Sequence, residues 1–106
     1  MLPLFVYGSL RKGWRNAWSR RLWRNGDDLG TARVRGRLVW PGRYPTWMPA
    51  QRPGQWVSGE LVVPASRSVL ASIDGYEDSE VYVRRRIRVR RDNGDTLWAW
   101  IYVIIF

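Results

Sequence analysis

Proton-transfer chemistry in this chain is restricted to a few residue types, because the sequence contains no cysteine and no histidine. Their absence excludes a disulfide framework, a thiol nucleophile, a Ser-His-Asp triad and the two usual ligand types of a structural zinc site. Acid–base catalysis is left to Asp, Glu, Tyr, Lys and the chain termini. The chain has nine carboxylate side chains, and a carboxylate can act as a general acid–base when its surroundings raise its pKa toward neutrality.

Glu77 differs from the other carboxylates because it continues an apolar helical stripe. Residues 66–80 read SRSVLASIDGYEDSE. Leu70, Ile73 and Glu77 are spaced by three, four and seven residues, which places them on one helical face. Two interpretations stay open. The carboxylate reaches solvent at a frayed helix end, which Gly75 favours, or it points into a cavity where desolvation raises its pKa.

The other carboxylates considered are expected to be structural or solvated. Glu60 lies beside Leu61 in a predicted strand, and alternation places it on the opposite face, where an arginine could pair with it. The remaining acidic residues of the second helix fall outside its apolar stripe and are expected to lie in solvent: Asp74, Asp78 and Glu80.

A short apolar run near the start of the chain, FVYGSL at residues 5–10, ends abruptly at Gly8 and Ser9. It is either a plain turn from strand to loop or one wall of a binding site. Glycine at position 8 permits close approach and unusual backbone angles. Both interpretations place a buried strand before the turn, over residues 2–7.

Periodicity predicts two helices and a set of strands. The first helix lies within residues 11–29 and presents an apolar face, and Asn25-Gly26 stops it. That face is Trp14, Trp18, Leu22 and Trp23. A second helix begins at Ser66 or Ser68 and ends near Tyr76.

Strands are expected at residues 31–40, 55–63, 82–91 and 96–105, and the last two form a hairpin around Asp92-Asn93-Gly94-Asp95. Residues 43–54 are rich in proline and glycine and are expected to be irregular. Gly59 lies inside a strand, where it indicates a bulge or a close backbone approach.

The chain has 106 residues without repeats or a linker, which predicts one α+β domain over residues 1–106. Five or six strands and two helices are expected. The strands are long for the chain, so a curled or closed sheet would protect its edges.

The formal net charge is +9, and the chain contains eight tryptophans. A basic chain attracts nucleic acid, and tryptophans among arginines are typical of proteins that bind single strands. However, the arginines are spread along the chain, and many tryptophans occupy positions that alternate into a core. Nucleic acid is therefore not the expected partner. Tryptophans that do lie at the surface would favour a homodimer.

No apolar run approaches the ~20 residues that a membrane-spanning helix needs. The first residues, MLPLFVYGSL, lack a basic segment before an apolar core, so we do not expect them to be a signal peptide. We expect a cytoplasmic protein without a membrane partner.

Five motifs occur in a specific order along the chain: FVYGSL, Gly42-x-Tyr44-Pro45, Gly59-Glu60-Leu61, Ile73-Asp74-x-Tyr76-Glu77 and Tyr82-x-Arg84. This set resembles the gamma-glutamylcyclotransferase-like family, also called AIG2-like, and in particular its short bacterial members. The resemblance covers nearly the whole chain. It implies a small mixed β-barrel flanked by helices, with a cavity at one end.

The resemblance also implies site residues. Glu77 corresponds to the catalytic acid–base, and the turn after the first strand holds the glutamyl part of a small-molecule γ-glutamyl substrate. The expected substrate-binding residues are Tyr7, Gly8, Ser9, Leu10, Tyr44 and Tyr82. Active members release the γ-glutamyl group as 5-oxoproline and use no metal or organic cofactor. Asp78 stands where the family often has glycine, and a second carboxylate there would raise the pKa of Glu77 further.

This chemistry needs few groups, because the α-amino group of the substrate attacks its own γ-carbonyl and one carboxylate can carry the proton. The backbone N–H groups of the Gly8-Ser9 turn can hold the oxyanion or the substrate carboxylate. The alternative is a catalytically silent module on the same fold, which binds a small molecule or a protein without turnover.

Overall fold

Seven strands and two helices make up the described part of this α+β protein, and five of the strands close a barrel. The computed structural model describes residues 1–14, 16–42, 44–76 and 82–104. In chain order the elements are β1 (Leu4–Val6), α1 (Ala17–Trp23), β2 (Asp27–Arg35), β3 (Arg37–Val39), β4 (Thr46–Met48), β5 (Trp56–Val63), α2 (Arg67–Tyr76), β6 (Tyr82–Arg91) and β7 (Thr96–Ile104).

The barrel has the strand order β1-β5-β2-β6-β7, and β7 pairs with β1 to close it. Neighbouring strands are antiparallel except at that closing pair, where Leu4 lies opposite Trp100 in a parallel arrangement. β3 and β4 form a separate two-stranded sheet. The predicted α+β fold, a small mixed barrel flanked by helices, is confirmed.

Two groups of buried apolar side chains hold these layers together. β1 contributes to both, because successive side chains of a strand point to opposite faces: Phe5 points into the barrel, whereas Leu4 and Val6 face the helices. The barrel is filled by Phe5, Ala32, Val34, Val57, Leu61, Val89, Ala99 and Ile101. The layer between barrel and helices contains Leu4, Val6, Leu10, Leu22, Val62, Leu70, Ile73 and Tyr102.

A close backbone approach at Gly59 brings β1 against β5, as predicted. A Cβ at this position would lie 2.6 Å from Cζ of Phe5 and would also collide with the carbonyl oxygen of Val6. Only glycine leaves room for the ring of Phe5 at this point in the barrel. The β-bulge, which was the other interpretation, lies in β2 between Asp28 and Gly30.

The first helix is shorter than the periodicity indicated. Its N-cap is Asn16, so Trp14 precedes the helix. Trp18 is exposed, whereas Leu22 is fully buried. The predicted apolar face is therefore wrong for Trp14 and Trp18. The helix begins only after Asn16, whereas the tryptophan spacing required it to include Trp14. The stop is confirmed, since α1 ends before Asn25, which has a φ of 57°.

The segment between α1 and β5 differs most from the predicted strands. β2 starts at Asp27, inside the region assigned to the first helix, and the strand predicted at 31–40 is divided into β2 and β3. At the division, Nε1 of Trp47 donates to the carbonyl oxygen of Arg35 at 2.9 Å. Residues 43–54, predicted as irregular, contain β4, which pairs with β3. These two additional short strands raise the count above the expected five or six.

None of the eight tryptophans is buried, and all of them lie in the described ranges. The expectation that many alternate into a core is wrong, because the inside of a five-stranded barrel is narrow and one phenylalanine with aliphatic side chains fills it. Three tryptophans are half-buried: Trp23, Trp47 and Trp100. Five are exposed: Trp14, Trp18, Trp40, Trp56 and Trp98.

The second helix and the final hairpin agree with the predictions. The N–H of Val69 donates to Oγ of Ser66 at 3.3 Å, which caps α2, and Leu70 and Ile73 are buried as the stripe predicted. In the turn after β6, the N–H of Arg91 donates to the carbonyl of Asp95 at 2.8 Å. Neither helix of the described chain is long and apolar enough to cross a membrane.

Candidate functional site

A cavity of about 190 Å³ opens at the end of β1. Its wall consists of Phe5, Val6, Tyr7, Gly8, Ser9, Leu10, Tyr44, Pro45, Tyr82 and Tyr102. The structure thus brings together the six residues named above as substrate-binding candidates, although they come from three distant parts of the chain. Their role in binding remains a prediction. The lining side chains described here are aromatic, aliphatic or hydroxyl-bearing, and none carries a charge.

Tyr7 joins three elements at the mouth of the barrel. Its hydroxyl donates to the carbonyl oxygen of Tyr102 in β7 at 2.7 Å and accepts from the backbone N–H of Trp47 in β4 at 3.1 Å. Its ring stacks on Phe5 with centroids 6.3 Å apart. Tyr7 therefore fixes the position of β4 and of the chain leading to it, which supplies Tyr44 to the cavity.

The loop that follows Tyr7 is held from one side by polar side chains of α1 and its cap. Nδ2 of Asn16 donates to the carbonyl of Ser9 at 2.8 Å, and Nε1 of Trp23 donates to the carbonyl of Leu10 at 2.8 Å. Oγ of the buried Ser19 donates to the next carbonyl of the loop, that of residue 11, at 2.8 Å. Three consecutive loop carbonyls therefore point toward α1.

This orientation of the carbonyls determines where one N–H of the loop points. In a trans peptide unit the C=O and the following N–H point in opposite directions. Because the carbonyl of Ser9 is directed at Asn16, the N–H of Leu10 points away from α1. A backbone donor directed away from the packed helix can hold an anion.

Gly8 does not use the unusual backbone angles that glycine permits. It is absent from the described residues with positive φ. A Cβ at this position would have no atom within 4 Å. The turn itself is made by the N–H of Arg11, which donates to the carbonyl of Gly8 at 3.1 Å. Gly8 therefore contributes open space at the cavity wall and no special conformation.

The far side of the same loop is tied to the barrel through Lys12. Its backbone N–H donates to Oε1 of Glu60 at 2.8 Å, and its ammonium group lies 2.9 Å from Oδ2 of Asp28. Glu60 is structural, as predicted, but it pairs with a loop N–H instead of an arginine. The hydrogen bond from Lys12 lowers the pKa of Asp28 below its ordinary value of 3.8, and a second bond, from the N–H of Gly30, lowers that pKa further. The same contact raises the pKa of Lys12 above 10.5.

Asp74 belongs to a polar cluster that the sequence did not predict. It was expected to lie in solvent, but both of its carboxylate oxygens accept from the guanidinium of Arg84, at 3.0 and 3.1 Å. The hydroxyl of Tyr102 donates to the same carboxylate at 2.5 Å, and the guanidinium lies 4.4 Å from the ring centroid of Trp100. The expectation failed because helical periodicity describes only one element. Asp74 lies off the apolar stripe, but β6 and β7 supply its partners.

The candidate catalytic carboxylate Glu77 and its neighbour Asp78 lie outside the described residues. The described chain reaches Tyr76 at the end of α2 and resumes at Tyr82, which lines the cavity. The ion pair between Asp74, near the end of α2, and Arg84, two residues after Tyr82, joins the two ends of the described chain on either side of residues 77–81. No group of three potential metal-binding side chains occurs in the described ranges.

The family model "Gamma-glutamyl cyclotransferase, AIG2-like" matches residues 4–105. The chain belongs to this family. The resemblance drawn from the ordered motifs is therefore confirmed, and a cyclotransferase-like function is supported at the level of the family. No curated protein matches the chain significantly.

Solved structures agree with this assignment of the fold. The crystal structure of YkqA from Bacillus subtilis has a TM-score of 0.79 at 26% identity, and the match covers 99% of this chain and 36% of that one. An AIG2-like protein from Mus musculus has a TM-score of 0.78 at 24% identity, and the match covers 97% of this chain and 76% of the mouse chain. A structure named gamma-glutamyl cyclotransferase has a TM-score of 0.74 at 19% identity, and the match covers 98% of this chain and 66% of that one. The chain thus spans about a third of the Bacillus protein.

Proposed function

We propose that this chain is a cofactor-independent gamma-glutamylcyclotransferase-type enzyme that releases 5-oxoproline from a γ-glutamyl amine or peptide. The observation that carries the proposal is one cavity, in a member of this family, lined by the strand-end turn and by tyrosines from three later segments of the chain. Its volume of about 190 Å³ is below the roughly 300–1,000 Å³ of sites for drug-sized ligands. A cavity of this size suits a glutamyl group whose amine substituent extends outward past the exposed Tyr44.

The reaction is an intramolecular acyl transfer. The α-amino nitrogen attacks the γ-carbonyl carbon, a new C–N bond closes a five-membered ring, and the bond to the leaving amine breaks. Because nucleophile and carbonyl belong to one molecule, holding the folded conformer supplies much of the acceleration, and effective molarities of 10⁵–10⁸ M are typical of well-oriented cases. The described part of the cavity wall, whose side chains carry no charge, and the fixed Tyr7 provide a surface for that conformer.

Proton movement requires one group with two roles. The α-amino group is protonated near neutral pH and must lose a proton before attack, whereas the leaving amine must gain one. We assign both transfers to Glu77. General acid–base catalysis of this kind contributes roughly 10²–10⁴-fold. A cavity whose described side chains carry no charge would raise the pKa of such a carboxyl toward neutrality.

The turn after β1 supplies the matching donors in this mechanism. The N–H of Leu10, directed away from α1, binds either the oxyanion that forms at the γ-carbonyl or the substrate carboxylate. Ser9 contributes to the wall and does not act as a nucleophile, since no histidine is available in the sequence to activate it.

The test of the reaction class is a product assay on a panel of γ-glutamyl amines and γ-glutamyl amino acids. We expect 5-oxoproline from at least one of them. The α-N-acetylated form of the same substrate should give no product, because its amide nitrogen cannot attack. Free glutamate in place of 5-oxoproline would identify a hydrolase and overturn the proposal. Binding to the panel without any product would favour the silent binding module.

A further inference from the structure

The outer face of the barrel collects arginines that are dispersed in the sequence. In β2 and β6, arginines alternate with Ala32, Val34 and Val89, whose side chains point into the barrel. Alternation directs the arginines to the opposite, outer surface. Five of them are exposed there on adjacent strands: Arg33, Arg35, Arg86, Arg88 and Arg90. We call these five the arginine face.

The arginine face is not neutralised within the described chain. The only ion pairs between described residues are Lys12–Asp28 and Arg84–Asp74, neither of which involves the face. Arg33 lies directly opposite Arg90 in the pairing of β2 with β6. Like charges at directly opposed positions of a sheet are destabilising. An unfavourable pairing of like charges that no described ion pair offsets is typical of a functional site.

Two exposed tryptophans flank the arginine face, and each lies under a guanidinium group. The guanidinium of Arg33 lies 4.8 Å from the ring centroid of Trp56, and that of Arg88 lies 5.2 Å from the centroid of Trp98. A guanidinium stacked on an indole keeps its charge, and its N–H edge remains available for bidentate bonds to phosphate. Exposed indole and guanidinium surfaces also accept stacked bases.

We propose that the arginine face binds single-stranded nucleic acid, independently of the proposed enzymatic function. The phosphates would lie between the opposed arginines and remove their repulsion, and the bases would stack on the flanking aromatic groups. An acidic polypeptide would satisfy the charge, but it would offer no flat bases to stack on the exposed indole and guanidinium surfaces. Two observations on the sequence argued against nucleic acid: the arginines are dispersed along the chain, and many tryptophans were expected in a core. The structure gathers five arginines on one face and leaves five tryptophans exposed.

Salt dependence measures how many phosphates are contacted. For single strands, log K falls with log salt by about 0.7 per neutralised phosphate. If each of the five arginines neutralises one phosphate, the plot of log K against log salt should have a slope of about −3.5. A variant that keeps three of the five arginines should have a slope of about −2. The slope depends on local contacts, whereas a nonspecific effect of net charge would be shared by any variant of equal charge.

The experiment compares two variants of equal charge by fluorescence anisotropy with a labelled oligodeoxythymidylate in a potassium chloride series. R33Q/R90Q removes the opposed pair, and R20Q/R24Q removes two exposed arginines at α1, so each lowers the formal net charge of +9 by two. Thermal melting controls for folding, and R33Q/R90Q should melt close to the parent, because loss of the repulsion between the opposed arginines is offset by loss of the contact of Arg33 with Trp56.

We expect the parent and R20Q/R24Q to bind alike, and R33Q/R90Q to bind at least tenfold more weakly with the shallower slope. Equal weakening of both variants would reduce the effect to net charge and overturn the proposal. Absence of binding by the parent would also overturn it, as would equal competition by polyglutamate at matched charge concentration. Cyclotransferase activity of R33Q/R90Q should equal that of the parent, so either function can fail without the other.

Discussion

Nδ2 of Asn16 donates to the carbonyl oxygen of Ser9 at 2.8 Å. The Oδ1 of the same amide caps α1 by accepting from the N–H of Ser19 at 2.7 Å. One side chain thus starts the helix and orients the loop at the cavity wall. The two roles use different atoms, so they can be separated by substitution.

Asn16→Asp should keep the cap and lose the donor to the loop, since aspartate is as good an N-cap as asparagine. We expect a loss of about 1 kcal/mol in stability, because a carboxylate oxygen would face the carbonyl oxygen of Ser9 in place of a donor. The loss in kcat/KM should be roughly five- to tenfold, because the loop at the cavity wall is no longer held. Asn16→Ala should lose both roles and destabilise the fold by about 1 kcal/mol more than the loss of the bond to Ser9 alone, because the cap is lost as well. If Asn16→Asp retained full activity, the hydrogen bond to Ser9 would have no part in positioning the loop.

Gly59→Ala should be strongly destabilising, because the added methyl group meets the ring of Phe5 and the backbone of Val6. We expect a loss of about 2–3 kcal/mol in urea unfolding, within the range for overpacking of a core. Gly75→Ala is the matched control, since it has open space around it and lies in α2. There alanine should be neutral or stabilising by up to about 1 kcal/mol. Equal effects of the two changes would contradict the close approach of β1 to β5.

Arg84→Lys should lower stability although it preserves the charge. Lysine cannot reproduce the two hydrogen bonds to Asp74 or lie flat on Trp100. We expect a loss of about 1–2 kcal/mol in urea unfolding, allowing for partial exposure of the pair. Arg86→Lys, an exposed position on the same strand, serves as the control and should change stability by less than about 0.5 kcal/mol. Similar losses at both positions would argue against the cluster.

The Lys12–Asp28 contact should contribute to stability in a defined pH window. The folded-state pKa of Asp28 is below 3.8, so its contribution is present above that pH and is lost as pH falls through the lowered pKa. The pKa of Lys12 is raised above 10.5, so its contribution to stability is present at lower pH and is lost as pH rises through that raised pKa. Asp28→Asn should therefore melt slightly below the parent near neutral pH, and the two melting curves should converge in acid. The difference should shrink in high salt because the pair is exposed. If the difference in melting temperature between Asp28→Asn and the parent widened in acid, the stabilising role of the Lys12–Asp28 pair would be contradicted.

Much of the fold and part of the site follow from local patterns. Alternation located β6 and β7, the serine cap located α2, and the glycine in β5 indicated a close approach. These features depend on residues near one another in sequence. The ordered motifs also named the six cavity-wall candidates, although the contacts that assemble them connect residues as distant as Tyr7 and Tyr102.

The features that were missed depend on partners from other elements. The Asp74–Arg84 pair joins a helix to a strand, and the placement of the tryptophans depends on how little space the closed barrel encloses. The arginine face arises from the register of β2 against β6. Neither hydrophobic periodicity nor turn chemistry carries information about register between strands that are separated along the chain by four other elements.

The central claim is that Glu77 moves the proton, and its direct test is 5-oxoproline release by Glu77→Gln beside Asp78→Asn. Both variants remove one carboxylate from adjacent positions with little change in shape. The account predicts a loss of roughly 10²–10⁴-fold in kcat for Glu77→Gln, with substrate binding retained. Asp78→Asn should stay active, with its pH–rate profile shifted to lower pH as the neighbouring negative charge is removed. Full turnover by Glu77→Gln, or loss of turnover only in Asp78→Asn, would contradict the mechanism.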